Sequence, residues 1–285
     1  MPIPKSEIEY SQIAFDAAEM AYFDKKSIKE WGLKQGYAVK IFEKDECFAY
    51  VAWGNNKIIV AYRGTNDLKD WLRNADGRKL EIGGAKIHRG FHDYMSKVGE
   101  DVYTKLNELL SQKVTRNYEL ILTGHSLGAA AITLFVYEWV RLKNQADPGI
   151  THIHTMGSPR VGNVVFRDLL VSTYPNWFRW VNGADAIPHL PFALPRIVRT
   201  IGGILSKPFA YFMPGGLRHV GWVCWLDVCN NLHYRPNLFF QWKDILQGWI
   251  NHIGTKGLAM IHNHFIGDYV SARNHAFWKI EEGKK

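Results

Sequence analysis

The residues with the clearest capacity for chemistry form the pattern Gly-x-Ser-x-Gly at positions 124–128. An apolar run at 118–123 precedes this pattern, and an apolar, helix-favouring run from Ala129 to about Leu142 follows it. This succession predicts a strand, a tight turn and a helix, which is the context that presents a nucleophilic serine. Ser126 would then stand at a helix N-terminus, whose free N–H groups favour a developing negative charge. We therefore predict that Ser126 performs acyl transfer.

A serine nucleophile needs a histidine base and a carboxylate that orients the base. In α/β-hydrolases both partners follow the serine along the chain, and the carboxylate comes before the histidine. Asp185 fits best, because the alternating run at 178–182 resembles a strand and a turn follows it. Glu138 falls within the helix after the nucleophile, and Asp168 falls on the face of a surface helix. A turn or capping role for Asp185 is the alternative. The other acidic residues considered are Asp147, Asp227 and Asp244.

The base must follow Asp185. His189 lies too close to Asp185 along the chain to approach the nucleophile from another loop. The segment 260–270 carries His262 and His264, and either could serve. No third ligand with convincing spacing accompanies this pair, so we predict neither a metal site nor a cofactor. The remaining histidines after Asp185 are His219, His233, His252 and His275.

Six ordered segments resemble those of the fungal-type triacylglycerol lipases, which form the class 3 lipase family of the α/β-hydrolases. The resemblance covers roughly residues 57–191 together with the last histidine segment. The similar segments are a strand with an Arg-Gly-Thr loop at 58–65, His-Arg-Gly-Phe at 88–91, the serine turn at 123–130, Gly-Ser-Pro-Arg-Val-Gly-Asn at 157–163, an acid loop at 181–191 and a closing histidine segment at 264–270.

This resemblance implies a catalytic triad of Ser126, Asp185 and His264. It favours His264 over His262, because in the family a tyrosine follows the catalytic histidine at the spacing that Tyr269 has here. The histidine would take the serine proton during attack on an ester carbonyl, and the carboxylate would orient the histidine.

The resemblance also implies an oxyanion hole and a substrate class. Leu127 and Thr65 would supply the N–H donors that bind the oxyanion. The activity expected is hydrolysis of acylglycerol esters through an acyl-enzyme, with lipid or another acyl ester as the substrate. A phospholipase A, a monoacylglycerol lipase or a small-ester esterase shares every motif, and a catalytically inactive fold used for binding is a further alternative.

The elements that must position these residues alternate between strands and helices. This alternation predicts an α/β-hydrolase fold with a central, mostly parallel sheet and helices on both faces. We expect a single domain over residues 1–285, with a helical and aromatic insertion at about 192–261. Helices are predicted at 6–23, 92–112 and from 129, a hairpin at 37–42 and 48–53, and further strands at 57–62, 118–123, 152–155 and 178–182.

Two segments are candidates for transient contact with a lipid interface. Residues 67–73 place Leu68, Trp71 and Leu72 at helical spacing where the family carries its lid, although an ordinary surface helix fits the spacing equally well. The aromatic stretch within 192–261 fits extra core and helical cover better, since aromatic rings usually pack. An acyl-chain wall or a membrane-facing cap is the alternative for that stretch.

Composition limits the partners. The net charge is +8, and such a basic surface favours anionic lipid interfaces or solubility. Lysine and arginine are scattered, so we predict no nucleic-acid partner.

No uncharged apolar run reaches the roughly 20 residues of a membrane span. The first residues lack an apolar signal core, which predicts a cytoplasmic protein unless a signal peptide was removed. The three cysteines argue against a disulfide framework, although a bridge from Cys224 to Cys229 stays open.

Overall fold

The computed structural model of the protein describes residues 3–65, 78–142, 150–183, 185, 187–189, 216–251 and 264–281. Its strands are β1 (Ala38–Lys44), β2 (Cys47–Gly54), β3 (Lys57–Tyr62), β4 (Lys79–Ile82), β5 (Ala85–His88), β6 (Glu119–His125), β7 (Ile150–Met156), β8 (Trp177–Asn182), β9 (Trp222–Leu226) and β10 (Leu232–Tyr234). Its helices are α1 (Lys5–Met20), α2 (Lys25–Lys34), α3 (Arg89–Ser111), α4 (Leu127–Leu142), α5 (Val164–Thr173), α6 (Leu238–Asn251) and α7 (Ile266–Glu281).

Eight of these strands form one sheet in the order β1-β2-β3-β6-β7-β8-β9-β10. The five strands from β3 to β9 in this order run parallel to one another, and antiparallel strands extend the sheet at both edges. The predicted α/β-hydrolase fold with a mostly parallel sheet is therefore confirmed. The carboxyl ends of β6, β7 and β8 lie side by side, and loops that leave this edge can meet one another.

Alternate residues of each strand supply two separate cores, because successive side chains point to opposite faces of a sheet. In β3, Ile58 and Val60 join the core that contains the buried sides of α3 and α4. Ile59 and Ala61 join the core on the other face, which contains residues of α1 and α7. Burial on both faces explains why the central strands read as continuous apolar runs.

The sequence analysis did not predict β9 and β10, although both lie in the aromatic stretch at 192–261. Trp180 of β8 pairs with Cys224 of β9, and this pairing is set by the neighbouring strand rather than by a local turn signal. All three cysteines are free, so Cys224 and Cys229 form no bridge.

Several sequence predictions concern segments outside the described residues. These are the lid candidate at 67–73, the parts of the insertion at 192–215 and 252–261, and the alternative base His262. Among the helices that the structure describes, none has the length and apolar character needed to cross a bilayer.

A buried acidic side chain fastens α1 to the sheet. Glu7 is only 5% exposed and accepts a hydrogen bond from His152 Nδ1 of β7 at 3.1 Å. His154 Nε2 lies 3.5 Å from the other carboxylate oxygen, while its Nδ1 accepts a hydrogen bond from Trp180. Burial raises the pKa of Glu7, but the two histidines outweigh burial and lower this pKa to about 2.

We expect Glu7→Gln to lower the free energy of unfolding at pH 7 by roughly 3 kcal/mol, since one pKa unit corresponds to about 1.4 kcal/mol. The folded-state pKa lies below the unfolded value of 4.5. The wild type therefore has this stabilisation above pH 4.5 and loses it as the pH falls toward 2. Denaturant titrations of both proteins across this pH range measure the effect. A constant difference in stability at every pH would contradict it.

Candidate active site

Ser126 occupies a strained turn between β6 and α4. Its φ is +59°, which is uncommon for a residue with a side chain. Its N–H donates to the Met156 carbonyl of β7 at 2.9 Å, and the serine is only 2% exposed. A Cβ at Gly124 would collide with the Gly128 carbonyl, and one at Gly128 would collide with the Tyr62 carbonyl. Both glycines of the pattern are therefore required by the close approach of the turn to α4 and β3.

Asp185 and His264 form a buried hydrogen-bonded pair. Asp185 follows β8, and its Oδ2 accepts hydrogen bonds from His264 Nδ1 at 2.7 Å and from the Tyr269 hydroxyl at 2.6 Å. Its Oδ1 accepts from the Ile187 N–H at 2.8 Å. These donors fix the carboxylate and hold the Nδ1 proton of the imidazole. His264 Nε2 can then accept a proton, and it has no hydrogen-bond partner among the described residues.

Contacts through β7 and the serine turn place this pair beside Ser126. Gly157 follows the residue that binds the Ser126 N–H, and its φ is +58°. A Cβ at Gly157 would lie 2.9 Å from His264 Cε1 and 3.2 Å from Asp185 Oδ2. The ring of His125, next to the serine, lies 4.7 Å from the His264 ring. The structure thus brings the three predicted residues to one edge of the sheet. The hydrogen bond from Ser126 to His264 is not formed, and such bonds often tighten only when substrate binds.

The predicted oxyanion residues flank the serine. Leu127 is the first residue of α4 and directly follows Ser126. A Cβ at Gly64 would lie 3.2 Å from Ser126 Cβ and 2.7 Å from the His125 carbonyl oxygen. The loop after β3 therefore touches the serine turn at the residue before Thr65.

Two tyrosines hold the peptide group that precedes Thr65, and sequence reasoning did not find them. The Tyr94 hydroxyl donates to the Arg63 carbonyl at 2.8 Å, and the Tyr22 hydroxyl packs against Gly64, where a Cβ would collide with the Tyr22 oxygen. The Tyr22 oxygen also lies 2.8 Å from His125 Nδ1.

Burial keeps the side chain of His125, which precedes Ser126, neutral. Burial and the nearby His264 imidazole hold the pKa of His125 well below its usual range. The Tyr22 hydroxyl contacts Gly64 and also forms a hydrogen bond with His125 Nδ1. Tyr22 therefore links the loop after β3 to the serine turn. No motif marks a tyrosine after α1 for this role, so only the three-dimensional contacts show it.

The acid loop also carries buried cationic neighbours. Arg160 Nη1 donates to the His189 carbonyl at 2.6 Å, just beyond Asp185. Burial lowers the pKa of His189 to about 4, so that this histidine is neutral at pH 7. Burial and the charge of Arg160 lower the pKa of Arg179 to about 10, which leaves Arg179 positively charged. Arg160 and Arg179 thus lie next to the acid loop.

The other acidic candidates lie away from the serine. Asp227 binds His233 Nε2 at 2.7 Å, but it also accepts N–H groups of Cys229 and Asn231 in the turn between β9 and β10. Asp244 accepts a hydrogen bond from Trp225 at 2.8 Å. Both carboxylates therefore stabilise local structure. Glu138 forms an ion pair with Arg141, and Asp168 forms one with Arg167.

Comparison with known proteins shows what the chain resembles. A family model described as Lipase (class 3) matches residues 59–194. Over these residues the chain is similar to the class 3 lipases. It is 30% identical over 174 residues to a lipase of Rhizomucor miehei, an alignment that covers 59% of this chain and 45% of the relative. It is 31% identical over 140 residues to the secreted mono- and diacylglycerol lipase A of Penicillium cyclopium, covering 48% of this chain and 44% of the relative.

The fold likeness extends further than the sequence likeness. The solved structure of the Rhizomucor miehei triacylglyceride lipase matches with a TM-score of 0.62 at 23% identity, covering 79% of this chain and 82% of that chain. The chain described here spans less than half of the length of the two curated relatives. The relative from Penicillium cyclopium is named as secreted, whereas the cytoplasmic location of this chain stays a prediction.

Proposed function

We propose that this protein is a serine hydrolase that cleaves acylglycerol esters through Ser126, Asp185 and His264. The hydrogen-bonded Asp185–His264 pair beside a serine with a φ of +59° is the observation that carries the proposal. Such an arrangement activates a hydroxyl that is otherwise a weak nucleophile at neutral pH.

The proposed reaction begins when Ser126 Oγ attacks the ester carbonyl carbon and His264 Nε2 accepts the serine proton. Asp185 stabilises the imidazolium that forms, because its carboxylate already holds the Nδ1 proton. The imidazolium then gives its proton to the leaving alcohol, and an acyl-enzyme remains. Water attacks the acyl-enzyme with His264 again as the base, which releases the fatty acid and restores Ser126.

The negative charge on the tetrahedral intermediate requires fixed donors. Leu127 and Thr65 are proposed to supply them through their N–H groups, each contributing about 3 kcal/mol of transition-state stabilisation. Tyr94 binds the peptide before Thr65, and Tyr22 packs against it. Their hydroxyls would therefore keep one donor at a constant distance from the nucleophile.

The substrate class rests on the family and on the names of the relatives, which act on acylglycerols. The test is a substrate panel of monoacyl-, diacyl- and triacylglycerol emulsions, phospholipid emulsions and soluble p-nitrophenyl esters, assayed with wild type and Ser126→Ala. We expect acylglycerol hydrolysis by the wild type alone. Faster phospholipid cleavage would indicate a phospholipase A, and activity on soluble esters alone would indicate a small-ester esterase. No hydrolysis at all would indicate an inactive fold used for binding.

Tyr22→Phe should lower kcat about tenfold with little change in KM. The substitution removes one hydroxyl that orients the oxyanion loop, and a hydrogen bond is worth about 1 kcal/mol or slightly more. The measurement is steady-state hydrolysis of a soluble p-nitrophenyl ester. Tyr137→Phe is the control, because the part-buried Tyr137 hydroxyl forms its hydrogen bond, to the Ile82 carbonyl, outside the candidate site. Equal kcat values in the two variants would contradict a positioning role for Tyr22.

A further inference from the structure

Helix α6 exposes large apolar side chains along one side. Leu238 is 81% exposed, Phe239 76%, Trp242 65% and Leu246 41%. At 3.6 residues per turn, these four positions fall within about 100° of the helix circumference. We call these four residues the α6 apolar face. A compact apolar surface of this kind commonly marks an interaction site.

The opposite side of α6 meets the rest of the protein. Asp244 is only 8% exposed and accepts hydrogen bonds from Trp225 Nε1 at 2.8 Å and from the Val228 N–H at 3.2 Å. Asn237 caps the start of the helix by accepting the Phe240 N–H at 2.8 Å. Phe240 also lies on this side, and its ring is 4.4 Å from that of His233. Helix α6 is therefore held by a buried carboxylate and one aromatic contact, while it turns four large apolar residues outward.

The helix is attached next to the candidate active site. A Cβ at Gly183 would collide with the Asp244 carboxylate, and Gly183 lies only two positions before Asp185. Phe265, which follows His264, is 56% exposed. Apolar exposure thus occurs both on α6 and on the segment that carries the proposed base.

We propose that the α6 apolar face docks the protein onto an anionic lipid surface. Tryptophan, phenylalanine and leucine on one helix face, with a cationic residue beside them, are typical of helices that lie in a membrane interface. Lys243 is exposed and flanks the face, and the whole chain carries a net charge of +8. Both features complement a negatively charged surface. The proposal rests on the proposed function, since an enzyme that acts on acylglycerols meets its substrate at such a surface.

The experiment measures sedimentation with vesicles of phosphatidylglycerol mixed with phosphatidylcholine. Every protein carries Ser126→Ala, so that no lipid is consumed and binding is separated from catalysis. The test variant is Phe239→Ser/Trp242→Ser. We expect it to bind at least about tenfold more weakly than the parent, because two exposed rings no longer enter the interface.

The matched control is Leu33→Ser/Val114→Ser. Leu33 is 80% exposed and Val114 is 74% exposed, so this variant removes equally exposed apolar groups from other surfaces. Leu33 belongs to α2, which packs beside β1 at the sheet edge opposite to β10. Binding should remain at the level of the parent. An equal loss in test and control variants, or no loss in either, would overturn the proposal.

Two further measurements distinguish lipid docking from other ways of covering the α6 apolar face. A dimer that dissociates in the test variant would show that a second copy of the chain covers the face, and would overturn lipid docking. If salt abolishes vesicle binding and the test variant still binds, the attraction is due to charge alone, and docking through the α6 apolar face is overturned. With Ser126 restored, the test variant should hydrolyse a soluble p-nitrophenyl ester at the unaltered rate. Absence of that activity in the wild type would refute the proposed function and leave the vesicle result standing.

Discussion

Ser126→Ala should retain the fold and lose on the order of 10⁶ in turnover on ester substrates. Loss of a nucleophilic serine from a working triad has this magnitude, because the remaining groups have no acyl acceptor to activate. The strained turn should persist, since the glycines on both sides and the hydrogen bond to Met156 do not involve the serine hydroxyl.

The measurement combines thermal unfolding with hydrolysis of a soluble p-nitrophenyl ester. Ser11→Ala is the matched control, because Ser11 is also fully buried and its hydroxyl donates to a backbone carbonyl in α1. The control should retain activity. Turnover by folded Ser126→Ala at the rate of the wild type would refute the serine mechanism.

His264→Ala should be about as damaging as loss of the nucleophile, because an uncatalysed serine hydroxyl is almost inert. The two losses should not add, since each removes the same catalytic unit. We therefore expect Ser126→Ala/His264→Ala to be no slower than either single variant. Asp185→Asn should cost roughly 10⁴, because the amide no longer holds the correct tautomer of the imidazole.

His262→Ala tests the alternative base and should leave turnover near that of the wild type. His189→Ala is a second control, because His189 is near Asp185 and is neutral through burial. A loss of activity in His262→Ala that His264→Ala does not share would reverse the assignment. A double variant much slower than both single variants would show that Ser126 and His264 do not act together.

The local parts of the site could be predicted from sequence because their causes are local. The serine turn needs glycine at 124 because a side chain there would meet the Gly128 backbone of the same turn, and glycine at 128 because a side chain there would meet the backbone of the adjacent strand β3. The alternation of apolar runs and helix-favouring segments likewise predicted the parallel sheet, because strands buried on both faces must be apolar. The carboxylate after β8 followed from its position at a strand end.

The contact between Asp185 and His264, by contrast, depends on residues that are far apart along the chain. These residues are 79 positions apart, and their hydrogen bond depends on how α7 packs against α1, β9 and β10. Sequence reasoning from the residues alone left His262 and His264 as equal candidates, and the family resemblance favoured His264. The structure adds the bond to Asp185 and the Tyr269 hydroxyl that supports it.

The sequence by itself determined the serine turn, the sheet and the order of the catalytic candidates, because hydrophobic periodicity and local steric requirements depend on residues that are close along the chain. Only the tertiary structure decided which distant groups share one polar network. The Tyr22 hydroxyl joins Gly64 and His125 across three separate segments, and no spacing along the chain encodes that meeting. The outward apolar face of α6 was also a tertiary outcome. Its pattern is that of an ordinary amphipathic helix, and the contacts of the buried Asp244 and of Phe240 with His233 show which side faces the protein.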